Sequence, residues 1–236
     1  KTEEQFELDT SDMFIALKDN GLYARLKAFY PFSGGTADSI KFNAKDPRNL
    51  DAAFRLTAFG SPTVSANGIQ GNGTSQYYST HLNPFDHATV ASYSCSIYTN
   101  ATLVSADMVE IGVFDGSKNA VIYSKWTDGN GYFDADSRVT VSPQNQNGQL
   151  VVSRIANNDL RAFARGSQIG STNSGVATAL PNLELHLLRL NRASAPFRYS
   201  NRALQFAHIG DGMTAAEVAI FNTIVHTAQI NQNRAI

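Results

Sequence analysis

A chain of 236 residues that is 42% hydrophobic and 17% charged carries enough apolar side chain for a packed core, which excludes a disordered or collagen-like polymer. Nineteen Lys and Arg stand against 20 Asp and Glu, a formal charge of -1. The basic footprint that holds a phosphate backbone or anionic lipid is therefore missing, and nucleic acid is not expected as a partner. The single cysteine, Cys95, excludes an intrachain disulfide framework and a multi-cysteine zinc site. Alternating with Tyr93 and Ile97, it reads as a buried structural thiol.

No run approaches the roughly 18 to 20 apolar residues of a membrane helix, and the first residues lack the basic-then-apolar layout of a secretory leader. A soluble chain without membrane insertion is expected. Because it opens on Lys1, the chain reads as a processed product or a portion of a longer protein. Thr10 to Tyr30 is the first helical candidate, with Met13 and Leu17 at i, i+4 and Leu22, Leu26 and Tyr30 at i, i+4, i+8. Asn20-Gly21 divides it, Pro31 closes it, and Ser33-Gly34-Gly35-Thr36 reads as a hinge. The expected organisation is a helical preface over residues 1–35 and a β-sandwich with a C-terminal helix over residues 36–236.

From residue 52 to 209 the apolar positions mostly alternate, as on one face of a strand. Phe54, Leu56 and Ala58 do so, then Val109, Ile111 and Val113, then Val151, Ser153 and Ile155. In LELHLLRL, Leu183, Leu185 and Leu187 fall on one side and Leu188 and Leu190 on the other. Asn67-Gly68, Asn72-Gly73, Asp115-Gly116, Asp128-Gly129-Asn130-Gly131, Asn147-Gly148 and Gly166-Ser167 supply turn chemistry between these runs. Many short strands without βαβ alternation predict an antiparallel sandwich or jelly roll, with Phe54, Leu56, Val109, Ile111, Val113 and Val151 between two sheets. Thr214-Ala215-Ala216-Glu217 is a capping box, Met213 and Val218 are placed as its hydrophobic staple, and Val218, Phe221, Val225 and Ala228 form an apolar stripe. A helix docked on the sandwich is predicted from Thr214 onward.

KDPRNLDAAFRL, GNGTSQYYSTHLNP, DMVEIGVFDGS, LVVSRI, LRAFARGSQIGS, LPNLELHLLRLN and YSNRALQFAHIGDGMTAAEV follow one another in an order that resembles the concanavalin A-like, laminin-G-like domains of tailed-bacteriophage virion proteins. The resemblance spans residues 22 to 234 and is densest in the last string. It implies an all-β jelly-roll sandwich on a fibre, tail or head decoration, at the exposed virion surface. It also implies contacts with other virion proteins and with copies of itself, with a trimer as the expected form, and with host-surface polysaccharide. Some laminin-G-like domains hold calcium, but no matching ligand set is found here.

Glycoside hydrolysis needs two carboxyl groups flanking the bond. Asp134 and Asp136, about 7 Å apart on one strand face, and Asp107 with Glu110 are the available pairs; neither carries a glucanase or lyase motif, so no catalytic residue is assigned. Asp128-x-Asn130 with Asp134 and Asp136 has a passing likeness to a calcium loop, but Tyr132 stands where an oxygen ligand belongs and Val139 where a bidentate Glu does. No cofactor is expected. His81, His87, His186, His208 and His226 show no zinc spacing. Sugar binding uses aromatic faces beside short polar side chains, and Trp126, Asp128, Asn130 and Tyr132 are the densest such cluster, around a hairpin tip. The competing reading is that Trp126 packs on the edge of the core. Tyr77 and Tyr78, beside Asn72-Gly73, are the second choice. Non-catalytic glycan attachment is thus the leading reading, with a glycan-cleaving depolymerase and a purely architectural knob as alternatives.

Overall fold

The structure of the chain, a computed structural model, describes residues 3–173, 175–194 and 197–236, with side chains from Thr10 onward. Helix α1 (Glu3–Asp19) stops at Asn20-Gly21, and a 3-10 turn (Leu22–Arg25) leads into strand β1 (Leu26–Tyr30). Then come α2 (Ala37–Ile40), β2 (Thr57–Phe59), β3 (Thr63–Ser65), β4 (Gly68–Gln70), β5 (Tyr77–Ser79) and α3 (Pro84–His87). The body continues through β6 (Tyr93–Thr99), β7 (Ile111–Phe114), β8 (Asn119–Tyr123), β9 (Gly131–Ala135) and β10 (Arg138–Val141). It goes on through β11 (Gly148–Ala156), β12 (Asp159–Ala164) and β13 (Ser167–Thr172). Last are β14 (His186–Leu187), β15 (Leu190–Arg192), β16 (Phe206–Gly210) and α4 (Ala215–Asn231).

The fold is an antiparallel β-sandwich of jelly-roll type. One sheet has six strands in the order β1-β16-β6-β11-β12-β13; the other runs β10-β9-β8-β7-β14-β5-β2, with β15 beside β7. Among the described residues the β15–β7 pairing is parallel and the other strand pairings are antiparallel. Alternation builds the core: Ile111 and Val113, Ala120 and Ile122, and Phe133 and Ala135 of the second sheet share one cluster with Cys95, Ile97, Leu150, Val152 and Leu160 of the first. Each large aliphatic or aromatic side chain fully removed from water there contributes about 1.5 to 3 kcal/mol. Cys95 is buried, and burial pushes its thiol up to about 12, so it stays protonated and inert.

The intervening residues of the first sheet point the other way. Phe29, Tyr98, Val151, Phe163 and Phe206 form a second cluster with Met13 and Leu17 of α1 and Val218, Phe221 and Val225 of α4. A helical layer thus covers the outer face of the first sheet. The outer face of the second sheet carries a smaller apolar cluster of Val109, Val121, Tyr123 and Leu190, and among the described residues no helix covers it.

Four sequence expectations change. The i, i+4 spacing of Leu22, Leu26 and Tyr30 belongs to a 3-10 turn and a strand, since a spacing of four also keeps one face of a strand. A register shift between Leu26 and Ala28 then sends Leu26 to the helix side and Tyr30 to the inter-sheet core. Phe54 lies in no strand: it follows a 3-10 turn (Asp51–Ala53) at φ 61 and packs edge-on to His87 at 4.8 Å. Val151 faces the helices and Val109 the outer side of the second sheet, because alternation defines two faces without saying which is inside when both are covered. LELHLLRL breaks at Leu188, φ 65, into two short strands.

The helix start falls where the sequence predicts it. Thr214 Oγ1 accepts from Glu217 N–H at 3.3 Å, Thr214 N–H donates to Glu217 Oε2 at 2.8 Å, and Met213 and Val218 are both buried. Arg25 Nη2 donates to Glu217 Oε1 at 2.7 Å, tying the turn before β1 to α4. Replacing both cap residues by alanine (T214A/E217A) should lower stability by about 1 to 2 kcal/mol in urea titration; an unchanged midpoint would show that the cap does not hold the helix.

His208 is buried on β16 between Ser94 Oγ (3.0 Å from Nε2) and Ser96 Oγ (2.6 Å from Nδ1). Burial drives its pKa down to about 3, so the folded protein keeps it neutral while the unfolded chain protonates it near 6.5. Its contribution is complete above pH 6.5 and is lost as pH falls from there toward 3, by up to about 1.4 kcal/mol per pH unit. His186, which burial and Arg189 also hold near 3, acts in the same direction. His208→Gln should therefore make the loss of urea stability between pH 7 and pH 5 visibly shallower; equal slopes in variant and parent would contradict the assignment.

Candidate functional site

The turn between β8 and β9 is built by local hydrogen bonding. Trp126 N–H donates to the Asn130 carbonyl at 2.7 Å and Gly129 N–H to the Trp126 carbonyl at 2.9 Å, with Gly129 at φ 85. Asp128 Oδ1 accepts from Asn130 N–H at 2.9 Å and its Oδ2 from the Tyr132 hydroxyl at 2.5 Å. The structure therefore brings Trp126, Asp128, Asn130 and Tyr132 into one turn. The Tyr132 and Asn130 donors hold the exposed Asp128 carboxyl below its usual range. Trp126 is half-buried: Tyr123 meets it edge to face at 5.1 Å, and the Arg198 guanidinium lies over its ring at 4.5 Å. It anchors the turn to the sheet by packing against the cluster of Val109, Val121, Tyr123 and Leu190.

Below the turn lies a buried ion pair. Arg202 Nη1 donates to Glu110 Oε1 at 2.6 Å, Glu110 Oε2 accepts from Ser124 N–H at 2.9 Å, and Arg202 Nη2 reaches the carbonyls of Val104 and Lys125. Ser124 and Lys125 directly precede Trp126, so this pair sets where the aromatic ring leaves the sheet.

From Trp126 the helix-free face continues across β8 and its neighbours. Asn119, Val121 and Tyr123 of β8 point outward beside Phe114, Leu190, Arg138, Arg192 and Arg198, and together they line a cavity of about 330 Å³. Arg138 grips Asp134 with two bonds, Nε to Oδ1 at 2.8 Å and Nη2 to Oδ2 at 2.6 Å, while its guanidinium lies 4.4 Å over Tyr132. Asn119 Nδ2 adds a bond to Asp134 Oδ2 at 2.9 Å. Burial pushes the Asp134 carboxyl up while Arg138 pulls it down. Arg198 Nε donates to Asp107 Oδ1 at 2.6 Å. These arginines escape sequence reading because they come from three separate segments with no shared local pattern; the outward Asn119-x-Val121-x-Tyr123 alternation is the one signal that marks the face.

The remaining candidates separate. Asp136 lies beyond β9 at φ 58, where Lys118 Nζ and the Thr178 N–H hold it, so it does not share a strand face with Asp134. Asp107 belongs to Arg198 and Glu110 to Arg202. Asp128 directs its oxygens to the turn's own donors. No three His, Cys, Asp or Glu side chains among the described residues gather as a metal site. Tyr78 is in the core, so Tyr77 and Tyr78 form no joint surface. Tyr77 faces outward, stacked against Phe59 at 4.6 Å with the Arg189 guanidinium 3.4 Å from its ring centre. Asn72 serves its own turn, accepting from the N–H groups of Thr74, Ser75 and Gln76.

No family model and no curated protein sequence matches the chain, whereas solved structures match its fold. Domain 4 of AbnA, a GH43 extracellular arabinanase from Geobacillus stearothermophilus solved with arabinotriose, is similar with a TM-score of 0.50 and 16% identity, covering 84% of this chain and 98% of that one. The binding domain of Paraclostridial Mosquitocidal Protein 1 (TM-score 0.52, 10% identity) and that of botulinum neurotoxin serotype D (TM-score 0.56, 6% identity) each match 85% of this chain. The match covers 52% of each of those binding domains, so the chain spans about half their length. At these identities the likeness is one of fold, and all three support the β-sandwich assignment.

Proposed function

We propose that the chain is a non-catalytic glycan-binding domain of a tailed-phage virion, displayed on the particle surface, which contacts host-surface polysaccharide through the helix-free face of its second sheet. The observation that carries this reading is the run of aromatic, amide and guanidinium groups from Trp126 and Tyr132 into the cavity beside Tyr123. Sugar C–H groups pack on π faces while hydroxyls need fixed donors and acceptors. The Asp128–Tyr132 and Asn119–Asp134 hydrogen bonds fix such groups in place. The arabinotriose bound to a domain of similar fold supports the same reading. The virion setting rests on the sequence resemblance, whose densest string, YSNRALQFAHIGDGMTAAEV, is β16 running into α4.

The reading is non-catalytic because hydrolysis needs two carboxyl groups on either side of one bond, whereas Asp107 and Asp134 each engage an arginine. Attachment gains strength from copies: an open face binds weakly, and a symmetric assembly, a trimer on the family resemblance, can raise avidity by about 10² to 10⁴.

The test is a glycan array probed with parent protein and Trp126→Ala. Trp126 is half-buried, so the substitution should cost about 2 kcal/mol of stability, roughly half the loss from a buried tryptophan, and should abolish array binding by the still-folded protein. Undiminished binding in the folded variant would remove Trp126 from the site. Release of reducing ends or unsaturated sugars from host polysaccharide would make the protein an enzyme.

A further inference from the structure

The cavity on the binding face is lined by three arginines that differ in how they are paired. Arg138 and Arg198 are paired with Asp134 and Asp107. Arg192 is exposed on β15 with no carboxylate within 4 Å among the described residues, its guanidinium only skirting the rings of Phe114 and Phe197 at 5.8 and 5.9 Å. Three guanidinium groups therefore line one cavity, and Arg192 is the one of the three without a carboxylate partner among the described residues. Val121 and Leu190 lie buried beneath them. A cation beside low-dielectric walls attracts an anion more strongly than the same cation in open water.

We propose that this cavity is a subsite for the carboxylate of an acidic sugar, received by Arg192, with Arg138 and Arg198 on either side and the sugar ring against the half-buried Phe114. The inference deepens the glycan-binding reading and rests on it. A carboxylate suits the site because its two coplanar oxygens match the fork of a guanidinium, a two-bond arrangement that Arg138 already displays with Asp134. The two neighbouring arginines, steered by their own aspartates, stand ready as a frame, and the unpaired one supplies the charge.

The experiment measures binding of the intact protein to uronic-acid oligosaccharides and sialyllactose, to the same compounds after carboxyl reduction to neutral sugars, and to sulfated neutral oligosaccharides. At least one carboxylate sugar should bind tenfold or more tightly than its reduced and sulfated counterparts, and the preference should shrink as salt rises. Arg192→Gln should remove that preference at an unchanged melting temperature, since the side chain is exposed. Arg192→Lys, which keeps charge and loses the fork, should restore only part of it. Equal binding of native and reduced sugars, or an Arg192→Gln variant as selective as the parent, would overturn the subsite while leaving glycan binding in place. Preference for the sulfated sugars would overturn the carboxylate assignment. Binding to none of the compounds, nor to any neutral glycan on the array, would overturn both readings.

Discussion

Phe29, Tyr98, Val151, Phe163 and Phe206 project from the outer face of the first sheet, and α1 and α4 close over them. A two-sheet sandwich has one buried interface and two outer faces; here the apolar residues on one of those faces demand a cover. Helix α4 supplies it with Val218, Phe221 and Val225, α1 adds Met13 and Leu17, and the Arg25–Glu217 pair ties β1's approach to the start of α4. Helices and two large sheets make three layers, and among the described residues the outer side of the second sheet is left without a helix. That asymmetry leaves the outer side of the second sheet open to solvent, and strands such as β8 and β10 hold Tyr123 and Arg138 in fixed positions there.

On that face arginine does two jobs. Its planar cation stacks on aromatic rings, as Arg138 does over Tyr132 and Arg198 over Trp126, so apolar surface is covered without being closed to water. Its donors also hold Asp134 and Asp107 in fixed positions. Deeper in, the Glu110–Arg202 pair is fully enclosed. Removing one partner from such a pair commonly costs about 3 to 5 kcal/mol, because the other is left as a buried charge. The chain thus holds its hairpin by a buried pair and its surface by more exposed stacks.

Much of this was legible in the sequence where the signal is local. The capping box at Thr214 and Glu217, the Asn67-Gly68 and Asp115-Gly116 hairpins, buried Cys95 and the turn joining Trp126 to Tyr132 all depend on residues a few positions apart, and each lies as expected. What failed depended on tertiary context. Val151 and Val152 are both buried, one beneath the helices and one between the sheets, so period-two patterning marked the strand without naming its inner side. Leu26 and Tyr30 share a helical spacing that a bulged strand also satisfies. The arginine frame was invisible because Arg138, Arg192 and Arg198 meet only once β10 and β15 stand on opposite sides of β7 and β8.

The central claim, that the helix-free face receives the ligand, is tested most directly by titrating isotope-labelled protein with its best-bound oligosaccharide and following the Trp126 indole and arginine side-chain resonances by NMR. Saturable shifts are expected at Trp126, Tyr132, Arg138 and Arg192, with α1 and α4 unmoved. Shifts centred on those helices, or on the groove between Phe14 and Phe42, with the Trp126 indole silent, would contradict it.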